Sequence, residues 1–268
     1  VDDDVLEQVR RSIPGLSAAE KKVAERLLVD PTVVIDLAIN DLAKLCSTSI
    51  STVARFAQSL GFSGYRELRV AVARSLTLQQ AQQVRFGLET TAISCDDSTA
   101  QVAAKLAARE IDAIETAART LDVAALDRVA EAVADARCVD VFGQGGSSLV
   151  AQDLQFKLAR IGCVASHSAD PHMALTMAAL RGPRDVAIGV SHTGETIETI
   201  RVLEAARAAG ALTVAITSAA GAPVATVADV VLITHARDSS FRGAAMSSRI
   251  ALLALVDVLF VRVAQRRG

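Results

Sequence analysis

The sequence predicts two folds in one chain: an all-α N-terminal domain, and an α/β C-terminal domain built on a doubly wound, five-stranded parallel sheet of flavodoxin-like order. Three observations carry this. Up to Arg137 apolar residues recur at helical spacing, as in Val102, Leu106, Ile114 and Ala117 and again in Leu126, Val129 and Val133. Beyond Arg137 short apolar runs rich in β-branched residues alternate with helical stretches, the pattern of β-α-β units whose sheet is covered on both faces. Two of those runs end in glycine turns that open directly into helices. A chain of 268 residues has room for both domains.

Composition narrows the function classes. Hydrophobic residues make up 51% and charged residues 22%, with 15 Gly and 5 Pro, which excludes disordered and collagen-like chains. The longest apolar runs, Val227–Ile233 and Ile250–Val256, fall well short of the ~20 residues of a membrane span. The opening Val1-Asp2-Asp3-Asp4 lacks the basic start and apolar stretch of a signal peptide, so a cytoplasmic protein without a membrane partner is expected. Cys46, Cys95, Cys138 and Cys163 show no C-x-x-C spacing and are expected to be buried free thiols. His167, Asp170 and His172 are the nearest approach to a ligand cluster, but their spacing enforces no convergence; no metal and no cofactor are expected.

The net charge of −2 hides a gradient. Residues 1–40 carry five basic and eight acidic groups, whereas residues 41–77 carry Lys44, Arg55, Arg66, Arg69 and Arg74 against Asp41 and Glu67, a local +3. Within that basic stretch Asp41–Cys46 reads as a short helix, Ser47-Thr48-Ser49 as a turn, and Ile50–Leu60 as a second helix capped by Ser49. On a helical wheel Val53, Phe56, Ala57 and Leu60 share one side, while Ser51, Thr52, Arg55, Gln58 and Ser59 take the other. A face of hydroxyls, one amide and one arginine suits base edges and phosphates better than a merely solvated face would. Lys44 and Arg66 flank it, and phosphate contacts need such cations. The DNA-binding candidates are therefore Lys44, Ser49, Ser51, Thr52, Arg55 and Gln58. Gly61 is placed as a C-cap, and Phe62 and Tyr65 are expected to lock the next helix, Tyr65–Leu76, onto the pair.

The run Ile39-Asn40-Asp41-Leu42-Ala43, then Ser49 to Phe56, then Leu60-Gly61-Phe62-Ser63-Gly64-Tyr65 resembles the N-terminal domain of RpiR-family transcriptional regulators over residues 1–77. It departs from that pattern at Thr48, where the family usually carries an apolar residue. Residues 78–119 are expected to form a helical linker, with a hinge at roughly 78–98 where glutamines give way to Thr90, Thr91, Ser94, Asp96, Asp97 and Ser98.

Residues 120–268 hold the predicted α/β domain. Strands are expected at Cys138–Phe142, Cys163–Ser166, Asp185–Val190, Leu212–Thr217 and Asp229–Thr234. Helices are expected at Ser148–Ile161, Pro171–Leu180 and Glu195–Ala209, with a final one from about Ala244 to Gln265. The first strand ends in Gly143-Gln144-Gly145-Gly146-Ser147-Ser148 and the third in Ser191-His192-Thr193-Gly194-Glu195-Thr196, each just before a helix. Glycines let the backbone approach an anion, and a helix N-terminus supplies free N–H groups. Neither a dinucleotide G-x-G-x-x-G nor a G-x-x-x-x-G-K-[ST] phosphate loop is present. In the order 2-1-3-4-5 both loops open into the same switch-point crevice.

Gly143-x-Gly145-x-Ser147, Ser191-x-Thr193-Gly194-x-Thr196, Thr217-Ser218 and Ala228-Asp229 together resemble the sugar isomerase (SIS) domain, and Asp170-Pro171-His172 and Ala245-Met246-Ser247-Ser248-Arg249 resemble its regulator branch. The resemblance implies a phosphosugar ligand held by Gly145, Ser147, Ser148, Ser191, His192, Thr193 and Thr196. The reading is a non-enzymatic regulator, a homodimer or homotetramer, whose affinity for operator DNA a phosphosugar effector controls. The alternative is an aldose–ketose phosphosugar isomerase, for which Glu195, Asp170, His172 and His192 are the candidate acid–base groups.

Overall fold

The computed structural model describes residues 5–88, 90–235 and 246–268. The chain divides into two compact units, Val1–Thr91 and Ala92–Gly268. The first unit is all-helical: α1 Val5–Ser12, a 3-10 turn Ile13–Gly15, α2 Ala18–Val29, α3 Thr32–Asp36, α4 Ile39–Leu45, α5 Ile50–Ser59 and α6 Tyr65–Phe86. Its core is drawn from every α-helix, with Val9, Leu27, Val34, Leu42, Phe56 and Leu68 fully buried.

Backbone hydrogen bonding explains why α4 stops and α5 starts where they do. Ser47 adopts a left-handed φ of +50°, and the Ser47 and Thr48 amides donate to Lys44 and Ala43 carbonyls, closing α4 as a Schellman stop. Two residues later the Ser49 hydroxyl accepts from the Thr52 amide at 3.1 Å and starts α5, as the sequence predicts. α5 ends in a second Schellman stop at Gly61, φ +85°, where the Phe62 amide donates to the Ala57 carbonyl. Thr48 holds the position that normally makes the apolar contact of such a stop, which gives its departure from the family pattern a physical place. The Tyr65 hydroxyl is shared between the Val34 and Leu37 carbonyls, so Tyr65 packs the unit together. α6 runs ten residues beyond the predicted Leu76 because no helix breaker intervenes before Gly87, φ +62°.

The second unit holds α7 Thr99–Arg119, α8 Val123–Asp135, β1 Cys138–Gly143, α9 Gly146–Arg160, β2 Ala165–His167, α10 Pro171–Ala179, β3 Asp185–Val190, α11 Ile197–Ala208, β4 Leu212–Thr217, α12 Pro223–Thr226, β5 Val230–Ile233 and α13 Met246–Arg267. The strands form one parallel sheet in the order β2-β1-β3-β4-β5. β2 begins two residues later than predicted, since Gly162 at φ +79° and the Cys163 amide, bonded to the Leu158 carbonyl, are still closing α9. The predicted start of the last helix at Ala244, and Ala245, lie outside the described residues. Residues 78–119, read as a linker, comprise the end of α6, an irregular stretch, and α7, which packs along α13 through Ala113, Ala117 and Ala251. Cys46, Cys138 and Cys163 are buried, but Cys95 in that irregular stretch is exposed, contrary to expectation.

Alternation along the strands divides the core. Val139, Val141, Val186, Ile188, Val190, Val214 and Ile216 join α8, α9 and α13 on one face. On the other face, which also carries Phe142 of β1, the central strands present small residues, Ala187, Gly189 and Ala215, and this lets α11 lie close: a Cβ on Gly189 would fall 2.8 Å from Leu203 and 2.9 Å from Thr199. The edge opposite the loops is closed by polar pairs. Arg137 grips the fully buried Asp185 with two hydrogen bonds, Gly182 adds its amide, and Arg181 grips Asp140 in the same way. Among the described residues no helix is long and apolar enough to cross a membrane.

The Arg137 guanidinium beside Asp185 holds its carboxyl below the usual carboxylate range, against the opposing pull of burial. The Asp185→Asn variant should therefore be less stable than the wild type at neutral pH, by about 1–3 kcal/mol. A depressed folded-state pKa contributes stability above the unfolded value and loses it as pH falls through the folded one. Thermal melts between neutrality and about pH 3 should show the gap between the two proteins closing on acidification; a gap independent of pH would contradict this.

Candidate functional site

In the first unit, α5 presents Ser51, Arg55, Gln58 and Ser59 to solvent. Thr52, read from the wheel as part of that face, is only 4% exposed. Four residues apart, Thr52 and Phe56 lie only about 40° from each other on the helix, so Thr52 falls at the margin of the buried arc. Its hydroxyl is 2.8 Å from that of Ser49, which is itself 2.8 Å from Ser51. Lys44 stands exposed on α4, in a loose pair with Asp41 at 3.4 Å. Behind α5 lies a group that the sequence reading did not select. Glu20, 9% exposed, closes a capping box with Ser17 at the start of α2 and accepts a hydrogen bond from Ser59 at 3.1 Å. The capping-box spacing of Ser17 and Glu20 was visible in the sequence; its reach across 39 residues to α5 was not.

In the second unit, β1 pairs with β3 so that Gly143 stands opposite Val190, and the loops that follow leave the sheet side by side. The first loop folds tightly over its own strand: a Cβ on Gly143 would lie 2.6 Å from the Ser147 carbonyl oxygen, and Gly145 has φ +56°. Ser147 and Ser148 are half-buried in the first turn of α9. His167, at the end of β2, holds Ser148. Its Nδ1 lies 3.0 Å from the Val141 carbonyl, which can only accept, so Nδ1 donates there and Nε2 faces the Ser148 hydroxyl at 3.2 Å.

The second loop is a turn fixed from within. Ser191 is 1% exposed; its hydroxyl accepts from the Gly194 amide at 3.1 Å and bonds Thr196 at 3.0 Å. Thr193 is exposed, and its hydroxyl accepts from the Glu195 amide at 3.3 Å. His192 Nδ1 meets the Ser218 hydroxyl at 2.7 Å, and Ser218 meets Thr234 at 2.8 Å, linking the ends of β3, β4 and β5. The structure thus groups Ser191, His192, Thr193 and Thr196 in one turn, with Ser191 as the residue that holds it. Ser218 stood in the Thr217-Ser218 motif without an assigned role, and Thr234 was missed because only the sheet order brings it there.

Side-chain capping divides the longer helices of this unit whose starts are described. α7, α8 and α10 start under side-chain caps from Ser98, Asp122 and Asp170. α9 and α11, which open onto the crevice, have Gly145 and Thr196 at the N-cap and no side-chain cap bond. In α9 the Ser147 and Ser148 amides turn back to the Gln144 and Gly145 carbonyls at 3.1 Å each, so what that loop offers an anionic acceptor is chiefly the positive end of the helix. Of the acid–base candidates, Asp170 is taken by the His172 and Met173 amides, which hold its carboxyl below the usual range, and Glu195 is exposed.

Comparison with known proteins follows this division. A model described as the helix-turn-helix domain of the rpiR family matches residues 3–79, and one described as the SIS domain matches residues 132–262. An uncharacterized HTH-type transcriptional regulator of Caldanaerobacter subterraneus is 35% identical over 264 residues, covering 98% of this chain and 92% of the relative. The chain belongs to the RpiR family of helix-turn-helix transcriptional regulators. A second relative, an uncharacterized HTH-type transcriptional regulator of Haemophilus influenzae, is 31% identical over 262 residues, covering 98% of this chain and 90% of the relative. Among solved structures, Vibrio vulnificus NanR complexed with ManNAc-6P is 27% identical with a TM-score of 0.59, covering 98% of this chain and 92% of that one. The sugar isomerase domain of an RpiR transcription factor from Sphaerobacter thermophilus is 26% identical with a TM-score of 0.57, over 62% of this chain and 92% of that domain.

The turn of the second RpiR loop cannot take a side chain at Gly194. Its φ is +70°, and an added Cβ would lie 2.3 Å from that of Ala222 and 3.0 Å from Val224. Gly194→Ala should cost at least about 2 kcal/mol in urea unfolding, from backbone strain and overpacking together. Gly182→Ala, where a methyl meets nothing within 4 Å, serves as the control and should stay within about 0.5 kcal/mol of wild type.

Proposed function

We propose that this RpiR-family regulator binds operator DNA through α5 and that a phosphosugar seated in the β1/β3 crevice sets its affinity for that DNA. The observation that carries the ligand half is the pair of uncapped helices, α9 and α11, whose N-termini meet at the switch point of the sheet. In α7, α8 and α10 a side chain supplies the missing acceptor; at α9 and α11 an anion takes that place, with the Ser147, Thr193 and Thr196 hydroxyls beside it. The ligand seen with Vibrio vulnificus NanR, ManNAc-6P, supports a phosphorylated sugar as the class. The protein acts in the cytoplasm as a homodimer or homotetramer, in which a pair of DNA-binding domains reads two half-sites about one helical turn, or a multiple of it, apart. The ligand favours one placement of the DNA-binding helices over another, which is how binding in one domain alters affinity in the other.

Arg55 is the side chain with most to contribute on α5. Arg55→Ala should weaken binding to a selected operator by about 1–3 kcal/mol, with relaxed preference at one position if it reads a base, or a salt slope lower by about one if it meets a phosphate. Titrations at several salt concentrations check this, and wild-type binding throughout would refute the recognition face. For the crevice, Ser147→Ala with Thr193→Val removes two hydroxyls and leaves Ser191 to hold the turn, at the loss of only the 3.3 Å bond from the Glu195 amide to Thr193. Calorimetry against N-acetylmannosamine 6-phosphate and a panel of hexose phosphates should show the best wild-type ligand binding at least about tenfold more weakly to the double variant, since one charge-assisted hydrogen bond is worth about 1.5 kcal/mol or more. Unchanged affinity would place the ligand elsewhere.

A further inference from the structure

We propose that His167 is a positioning residue of the crevice: its ring turns the Ser148 hydroxyl into a hydrogen-bond acceptor, so that the arm of the crevice beside β2 holds a hydroxyl or amide N–H of the sugar and not the phosphate. The inference deepens the phosphosugar reading and rests on it. His167 is the last residue of β2 and the register partner of Val141 in β1. Register partners in a sheet share a face, and Val141 joins the core on the side covered by α9, so the imidazole stands beneath the start of that helix. Two hydrogen bonds tie α9 to this edge strand. Gln155 donates to the Ala165 carbonyl at 3.1 Å, and two turns earlier Ser148 meets His167 at 3.2 Å. The ring is thus placed by β1, β2 and α9 together, and both it and Ser148 are half-buried.

The direction of the bond follows from the ring's other partners. The Val141 carbonyl, 3.0 Å from Nδ1, can only accept, so one ring proton is committed there. Asp140, the neighbouring residue on β1, points to the opposite face, where Ser166 and Arg181 hold its carboxylate. Among the described residues no carboxylate bonds the imidazole, and the uncharged ring keeps Nε2 as a lone pair for the Ser148 proton. A hydroxyl has one proton and two lone pairs. With the proton on His167, Ser148 Oγ turns only lone pairs to anything else that approaches it. A phosphate oxygen is itself an acceptor and is repelled, whereas a sugar hydroxyl or an amide N–H donates. The backbone of the same turn adds no donor, since the Ser147 and Ser148 amides are bonded to the Gln144 and Gly145 carbonyls. The phosphate then belongs toward Ser147 and the α11 turn, and the sugar toward β2.

The test uses the full-length protein. Long-range proton–nitrogen NMR of the wild type just above neutral pH, with the four histidines assigned by substitution, should show His167 protonated at Nδ1 and bare at Nε2. Calorimetry then compares N-acetylmannosamine 6-phosphate, a panel of hexose phosphates and inorganic phosphate. Ser148→Ala, and His167→Asn, which keeps an amide to donate to Val141, should each bind the best sugar phosphate about threefold to tenfold more weakly. The double variant should be no weaker than the worse single one, because His167 acts through Ser148. Affinity for inorganic phosphate should stay within about twofold of wild type in all three. Additive losses, a Ser148→Ala protein with wild-type sugar affinity, or a parallel loss for inorganic phosphate overturns the proposal. A proton on Nε2 overturns it as well, since Ser148 would then accept from the ring and donate to the ligand. Where His167→Asn folds poorly, the spectrum and Ser148→Ala decide. Failure of the wild type to bind any sugar phosphate would instead overturn the reading of the crevice on which the inference rests.

Discussion

The crevice of the second unit depends on one parallel pairing, that of β1 with β3. The pairing sets Gly143 against Val190, and from that point the two loops have no choice but to leave the sheet together. Sequential strands joined by right-handed crossovers place α9 on one face and α11 on the other, so the loops diverge around a shared opening. The pairing is secured from both sides. Valines and isoleucines fill one face beneath α9 and α13, and the small residues of the other face draw α11 down onto Gly189. Bulk on that second face would lift α11 and with it the turn at Ser191–Thr196.

Within this frame polar groups are satisfied where they hold structure and left available where a ligand belongs. At the loop-distant edge, Asp185 and Asp140 are each gripped by an arginine. At the crevice, Ser191 spends its hydroxyl on the turn, His167 fixes Ser148, and the His192–Ser218–Thr234 chain braces three strand ends. The backbone amides that start α9 and α11 receive no side-chain acceptor. An anion-binding cradle needs that combination, since a rigid loop keeps its amides pointing at the same place before and after the ligand arrives.

The first unit solves a different problem, that of holding a short helix rigidly while leaving its outer face bare. The Ser49 cap and the Schellman stop at Gly61 fix the length of α5, and a second stop at Ser47 ends α4 before it. Its inner face is locked by Val53, Phe56 and Ala57, all fully buried, and its end by Gln8 and Glu20. The polar outer face then carries little structural duty beyond the bonds of Ser49 and Ser59, which explains how its other residues can be chosen for what they meet outside the molecule.

Local chemistry made much of this legible from the sequence. Caps, glycine stops and the shift from helical to strand periodicity act over a few residues, so the α4-turn-α5 pair, the five strands and both glycine loops could be placed from the chain alone, and with them the candidate residues of each loop. The errors were local in the same sense: α6 outran its predicted end for want of a breaker, and β2 started late because α9 was still closing. What the sequence could not settle was which polar residues turn inward. Thr52 and Ser191 have the composition of a binding face, yet the first lies at the edge of a buried arc and the second inside its own turn. Glu20 and Thr234 gained their partners from segments distant in the chain, Glu20 from 39 residues away. Periodicity assigns a residue to a side of its own element, but only the packing of one element on another decides what lies on that side, because burial and long-range hydrogen bonds are properties of pairs of elements.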